Sequence, residues 1–146
     1  MRRTRLLAAL AGLAVITTAT PALAVTCEMT PQSVSFGSYD PLSTQSVDGV
    51  GNISVRCDAE ATFSISLGSG SGTFSARQIA SGSSVLEYNL YTDPSRLTVW
   101  GDGTSGTSTV TETATTADIT VYGRIPARQN VPAGVYSDII VVTITY

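Results

Sequence analysis

The sequence ends in GVYSDIIVVTITY, residues 134–146, which is its longest β-type run. In an extended chain, side chains two positions apart point to the same face of a sheet. One face of this run is apolar and is interrupted only by Asp138. Its members are Tyr136, Ile140, Val142, Ile144 and Tyr146. The opposite face carries two aliphatic and three hydroxyl side chains, so the pattern predicts a strand in a central position of a sandwich. Because the chain stops on this strand, we expect the fold to lack the strand that would pair with it.

The first 24 residues have the composition of a secretory signal peptide. Arg2, Arg3 and Arg5 precede an apolar run of eleven residues, 6–16, and the triplet 22–24 is a small-x-small cleavage site. A transmembrane helix needs about 20 apolar residues, so this run is too short to span a bilayer. The sequence therefore predicts an exported protein with one domain, residues 25–146, and no membrane insertion.

The charge of that domain excludes some partners. Three of the eight basic residues precede residue 25, which leaves five against eleven acidic residues and a net charge of −6. A strongly acidic domain has no electrostatic footprint for nucleic acid or for an anionic membrane surface. We expect neither of them as a partner.

Cys27 and Cys57 are the two cysteines of the chain, which contains no histidine. Two cysteines in an exported protein usually form a disulfide. The alternatives are a metal site, which would have too few soft ligands, and a catalytic thiol, which would lack its imidazole base. We favour the disulfide.

The rest of the domain reads as short strands separated by turns. Residues 52–57 and 62–67 alternate polar and apolar positions and predict two strands, with a turn at residues 58–60. Residues 85–92, 96–100 and 117–125 are strand-like as well, and no segment shows a helical period. This pattern predicts an all-β sandwich or barrel.

Enzymatic and ligand-binding motifs are weak in this sequence. The chain has no histidine or lysine, and its scattered acidic residues form no evident catalytic pair, so we expect no enzyme and no catalytic residue. The glycine-rich residues 68–72 precede no helix, which favours a flexible hairpin loop over a phosphate site. Asp102 is one carboxylate beside Gly103, which favours a tight turn over calcium binding. We expect no metal and no cofactor.

Several short motifs, in order, resemble the spore coat protein U domain family, which includes subunits of archaic, Csu-type chaperone-usher pili. The motifs are Cys27 and the segments 34–37, 39–41, 88–93, 99–103, 122–126 and 132–138, followed by the C-terminal strand. Together they span nearly the whole domain.

The resemblance implies an immunoglobulin-like, pilin-type β-sandwich that lacks its last strand. It also implies a hydrophobic groove beside the C-terminal strand, flanked by Tyr136, Ile140, Val142, Ile144 and Tyr146. A periplasmic chaperone inserts a strand into such a groove, and a sibling subunit replaces it during assembly through the usher, which is β-strand addition. An unfilled groove of this kind is an aggregation hazard. The implied location is the periplasm and then the cell surface.

A subunit that donates a strand needs about 5 to 10 residues ahead of its core. Only Val25 and Thr26 stand between the predicted cleavage site and Cys27. We therefore expect a tip, terminal or accessory subunit that accepts a strand. The alternative is a self-contained spore or cell-surface coat protein that binds carbohydrate through tyrosine and tryptophan side chains.

Overall fold

The computed structural model describes residues 24–146, so the predicted signal peptide, apart from Ala24, lies outside the described residues. The strands are β1 (Cys27–Ser35), β2 (Val47–Leu67), β3 (Arg77–Ser81), β4 (Ser84–Tyr91), β5 (Val110–Ile125) and β6 (Val142–Thr145). They form a curled antiparallel sheet in the order β1-β2-β5-β4-β3, and β6 pairs with β2. No helix occurs within residues 24–146. The prediction of an all-β fold is confirmed.

The longest strand, β2, differs from the sequence prediction. The two strands expected at residues 52–57 and 62–67 are one strand, β2, and the turn expected at residues 58–60 is wrong. The pairing of β2 with β5 shifts register between Arg56 and Ala61, because four residues of β2 lie opposite Thr115 alone. Such a bulge bends a strand without ending it. The buried side chains keep one parity across the bend, from Ile53 to Leu67.

The core lies on the concave face of the sheet, around Trp100, which is fully buried. The Trp100 indole N–H donates to the Ile65 carbonyl (3.0 Å), and its backbone N–H donates to the Leu90 carbonyl (2.9 Å). Trp100 thus links the ends of β2 and β4, which closes one end of the fold.

The strand expected at residues 96–100 does not form. Arg96 has a positive φ of 57°, which interrupts an extended chain. The Asp93 carboxylate accepts a hydrogen bond from the Thr98 backbone N–H (2.9 Å), which holds the chain in a turn. Only single bridges remain in this region, between Tyr91 and Val99 and between Trp100 and Ser108.

The C-terminal run also differs from its prediction. Only Val142–Thr145 forms a strand, and among the described residues β6 has one strand partner, β2. The predicted central position is therefore wrong, because the second side of β6 is open. The side chains expected to be partly covered are exposed, by 86% at Ile139 and 68% at Val141.

A disulfide joins Cys27, the first residue of β1, to Cys57 in β2. The two residues are also paired directly across the two strands. The preferred interpretation of the cysteine pair is confirmed.

Candidate functional site

An open groove of about 1020 Å³ runs along the concave face of the sheet. One wall consists of residues 31–41, at and beyond the end of β1, and is called here the β1 wall. The other wall consists of residues 131–142 and is called here the C-terminal wall. The floor is apolar and comes from the four strands β2 to β5: Ile53, Leu67, Ile79, Leu86, Leu90, Val121 and Ile125. These floor residues belong to the hydrophobic core, so the core is open to the groove.

The β1 wall is packed closely against the sheet because glycines lie beneath it. A Cβ atom at Gly123 would lie 2.6 Å from the Phe36 ring and 2.9 Å from a Val34 methyl group, and one at Gly49 would lie 2.8 Å from Phe36. Any larger residue at these positions would push the wall away from the sheet. The Phe36 ring also contacts Tyr88 edge to face, with ring centroids 5.8 Å apart.

The C-terminal wall crosses from β3 to β2. Ser137 and Ala80 exchange two backbone hydrogen bonds (3.0 and 3.1 Å), which attach the wall to β3. The Gly68 N–H donates to the Val141 carbonyl (2.8 Å) and attaches the wall to the end of β2. From there the chain enters β6, where Val142 is paired with Leu67.

The register of β6 leaves one row of its backbone groups unpaired. In an antiparallel pair, hydrogen-bonded and non-bonded residue pairs alternate, and the N–H and C=O groups of each residue point to the same side. The Gly68–Val141 bond therefore places the backbone groups of Thr143 and Thr145 toward β2. The Leu67 N–H agrees with this alternation, since it donates to the Gly101 carbonyl (3.1 Å). The N–H and C=O groups of Val142 and Ile144 consequently point to the open edge.

A carboxylate lies in the C-terminal wall. The Tyr88 hydroxyl donates to Oδ2 of Asp138 (2.7 Å), and Ser71 donates to Oδ1 through its backbone N–H (3.1 Å) and its hydroxyl (2.8 Å). Burial, together with the bond to Asp138, raises the pKa of Tyr88 above its usual value. The phenol is therefore a neutral donor.

A buried cation lies behind the groove. Arg77 is fully buried and donates to the Gly68 carbonyl (3.0 and 2.8 Å), the Trp100 carbonyl (2.7 Å) and Oδ1 of Asn89 (2.6 Å). Burial lowers the pKa of Arg77. These bonds tie β3 to the chain segments at the ends of β2 and β4, so Arg77 supports the groove from inside.

The model of the Spore Coat Protein U domain matches residues 13–143. The chain belongs to the Spore Coat Protein U domain family. Protein U of Myxococcus xanthus is 37% identical to it over 129 residues, which cover 78% of this chain and 72% of that protein.

A solved structure shows the same fold. It is the complex of CsuC and CsuE, a chaperone-tip adhesion subunit pre-assembly complex from the archaic chaperone-usher Csu pili of Acinetobacter baumannii. One of its chains matches with a TM-score of 0.62 and 21% identity, over 84% of this chain and 40% of that chain. The likeness confirms the predicted pilin-type fold class.

Five residues of this Spore Coat Protein U domain were predicted from the sequence to flank the groove. The structure places them in different surroundings. Tyr136, Ile140 and Val142 line the groove. Ile144 packs against the core and is paired with Ile65, beyond the groove lining. Tyr146 is 55% exposed and lies outside the lining.

The other wall and most of the floor were not predicted from the sequence. Val34 and Phe36 alternate with serines, and three glycines that share a face of β2 and β5 lie beneath them. That combination of small and large residues was a signal for close packing. The pairing of β2 with β5, which brings Gly49 opposite Gly123, became known only from the structure.

No group of three or more His, Cys, Asp or Glu residues that could hold a metal occurs in residues 24–146. Over the same range, no helix is long and apolar enough to cross a membrane.

Proposed function

We propose that this Spore Coat Protein U domain is a secreted structural or adhesive subunit that is completed by an inserted β-strand, in the manner of a chaperone-usher pilus subunit. The observation that carries the proposal is the apolar groove bordered by the unpaired edge of β6. A strand that filled the groove and continued past Val142 along the edge of β6 would bond through its backbone to Val142 and Ile144 and place alternate side chains on the floor. Both gains are those of β-strand addition.

The chemistry of the groove favours a strand over a small ligand. Its floor is aliphatic, and the carboxylate of the C-terminal wall, Asp138, is occupied by Tyr88 and Ser71. Burial of apolar area contributes roughly 25 cal/mol per Å². A strand that fills the groove therefore stabilises the domain in proportion to its length and apolar content. Until it is filled, the open edge favours association with other chains.

The residues just ahead of β1 favour the role of strand acceptor over that of donor. The Thr26 N–H donates to the Asp58 carboxylate (3.0 Å), and the Asp58 N–H donates to the Thr26 carbonyl (3.1 Å). Val25 packs against the core. These residues extend the pairing of β1 with β2, so they are unsuited to reach another subunit. This favours a tip, terminal or accessory position.

The partners that follow from this role are a periplasmic chaperone, an usher and sibling subunits that donate a strand. The domain would pass through the periplasm and function at the cell surface or in a fimbrium. Membership of the family and the pilin-type fold support this route.

Expression in a periplasm, with and without a chaperone of the same assembly system, tests the proposal. We expect the domain alone to aggregate or be degraded, and co-expression to yield a soluble one-to-one complex. A stable monomer that needs no chaperone would contradict the proposal. If that monomer also bound glycans on an array, a self-contained coat protein would be the better description.

A further inference from the structure

We propose that Asp138 is a positioning residue that holds the C-terminal wall ready for strand capture; this inference rests on the proposed function. Asp138 interrupts an otherwise apolar stripe, where a carboxylate without partners would be costly. Here it has three donors, contributed by β4 and by the loop of residues 68–72. The side chain therefore connects the wall to two other parts of the domain.

The side-chain bonds of Asp138 lie in a part of the wall whose backbone forms no hydrogen bond with another element. Within residues 24–146, no backbone hydrogen bond joins Asp138, Ile139 or Ile140 to another element, although Ser137 and Val141 on either side are bonded. The bonds from Tyr88 and Ser71 to Asp138 span this gap. Without them, the chain between Ser137 and Val141 would be held only by the backbone bonds of those two residues, and Ile140 would lose its fixed place beside the groove.

The loop of residues 68–72 is shaped to close on this carboxylate. A Cβ atom at Gly70 would clash with the Asp138 carboxylate and would lie 2.7 Å from Ile140. Gly70 also has a positive φ of 63°, which glycine adopts without strain. The glycine-rich loop, predicted from the sequence to be a flexible hairpin loop, is thereby part of the attachment of the wall.

Charge supports the same arrangement. The hydrogen-bond partners of the buried Arg77 are neutral. The negative charge of Asp138 favours the charged form of Arg77. Tyr88 lies opposite Arg77 in the pairing of β3 with β4 and bonds to Asp138. Arg77 also holds Gly68, which bonds to Val141. One polar cluster thus fixes the wall at two points.

A prepositioned wall favours capture because an incoming strand need not order it. Ordering flexible groups is part of the cost of binding, and preorganisation reduces that cost. A hydrogen bond to a charged group is worth enough that its loss should weaken capture about tenfold or more. The effect should fall on strand capture more than on the folding of the core, because the wall is exposed while the core is buried.

The test uses the oxidised domain diluted from denaturant into a fluorescent nine-residue peptide that alternates valine and threonine. Asp138→Asn keeps the size of the side chain but removes its charge and one of its two acceptor oxygens, so Tyr88 and Ser71 can no longer both donate to it. Tyr88→Phe removes the donor. Asp118→Asn is the matched control, since Asp118 also accepts a hydrogen bond from a serine, Ser54, away from the groove.

We expect the peptide concentration for half-maximal capture to rise about tenfold or more in Asp138→Asn and in Tyr88→Phe, without a further rise in the double variant. Asp118→Asn should capture like the unchanged domain. Ser71→Ala, which removes only a hydroxyl donor, is a milder variant and should weaken capture about threefold. If Asp138→Asn does not fold, Tyr88→Phe and Ser71→Ala provide the same test.

The outcomes separate the two proposals. If the unchanged domain captures no peptide, the proposed function fails, and the inference fails with it. If the unchanged domain captures peptide and the Asp138, Tyr88 and Ser71 variants capture it equally well, the positioning role alone is overturned. An equal loss in Asp118→Asn would also overturn that role, because it would show a general effect of removing a carboxylate.

Discussion

Val141 and Val142 are neighbours in the chain with opposite surroundings. Val142 lines the groove and packs against the core, whereas Val141 is 68% exposed. Both are valines at the entry to the same strand, so the same substitution at each position separates an effect on the groove from an effect on the strand.

Val142→Asp should abolish capture of a strand by the groove. A carboxylate there would be buried without a partner once a strand covers it, which is costly. We expect no chaperone complex from co-expression of Val142→Asp, while Val141→Asp should form the complex normally. Co-purification from periplasmic extracts measures both. If Val142→Asp were captured and secreted like the unchanged domain, the assignment of the groove would be wrong.

Arg77→Ala should destabilise the domain severely. The substitution leaves the carbonyls of Gly68 and Trp100 without a donor in the interior and creates a cavity. It also removes one of the two donors to Oδ1 of Asn89, which keeps the bond from the Leu90 N–H. Breaking such a buried cluster costs on the order of 3 kcal/mol or more. Arg56→Ala is the matched control, because Arg56 is exposed. Denaturant unfolding of the strand-filled domain gives both values, and equal stabilities would contradict the structural role of Arg77.

Removal of the disulfide should lower stability without changing the groove. The bond closes a loop between residues 30 positions apart. In the chain-entropy model, such a loop contributes about 3 to 4 kcal/mol. The double variant Cys27→Ser with Cys57→Ser should lose about this amount in denaturant unfolding. The variant should still capture a strand at low temperature; loss of capture under folding conditions would show that the disulfide shapes the groove as well.

Acid should remove a small stabilising contribution from Asp48. Arg124 donates to both oxygens of this carboxylate (2.7 and 2.9 Å), and these bonds lower the pKa of Asp48 below its usual value. A lowered pKa in the folded state stabilises the fold above the unfolded pKa, near 4. That contribution is lost as the pH falls through the folded pKa. The ion pair is partly exposed, so it contributes at most about 1 kcal/mol.

Asp48→Asn should therefore lower the free energy of unfolding at pH 7 and reduce its decrease below about pH 4. Denaturant unfolding at several pH values measures this decrease. Glu60→Gln, at an exposed position of β2, is the control. An unchanged decrease in Asp48→Asn would show that the ion pair is not formed in solution.

Alternation of side chains is a local property, so it predicted the all-β class and the apolar side of the C-terminal run, whereas the pilin-type sandwich was implied by the resemblance to the family. It failed where distant contacts decide the structure. Residues 58–60 were predicted to form a turn. Instead, β2 continues through them as a bulge, because it is paired with β5 on both sides of them. Asp138 looked like an interruption of the stripe, because its partners Tyr88 and Ser71 lie 50 and 67 positions away.

The groove itself was predicted on one side only. Tyr136, Ile140 and Val142 could be chosen by parity, but Ile144 and Tyr146 continue the same parity beyond the groove lining. Parity gives the direction of a side chain and not the extent of the surface it meets. The β1 wall depends on three glycines on two strands, Gly49, Gly51 and Gly123, whose pairing could not be read from their spacing in the sequence.

The unpaired edge of β6 is where the added strand is proposed to bind, and hydrogen exchange of the β6 backbone amides tests this. In the free domain, measured at low concentration just after dilution from denaturant and before it associates, the amides of Thr143 and Thr145 should be protected by β2, and those of Val142 and Ile144 should exchange rapidly. With a chaperone or a peptide strand bound, the Val142 and Ile144 amides should become protected by about a hundredfold or more, as in an internal strand. If those two amides still exchanged rapidly in the bound state, the strand would not be added at β6, and the account would be contradicted.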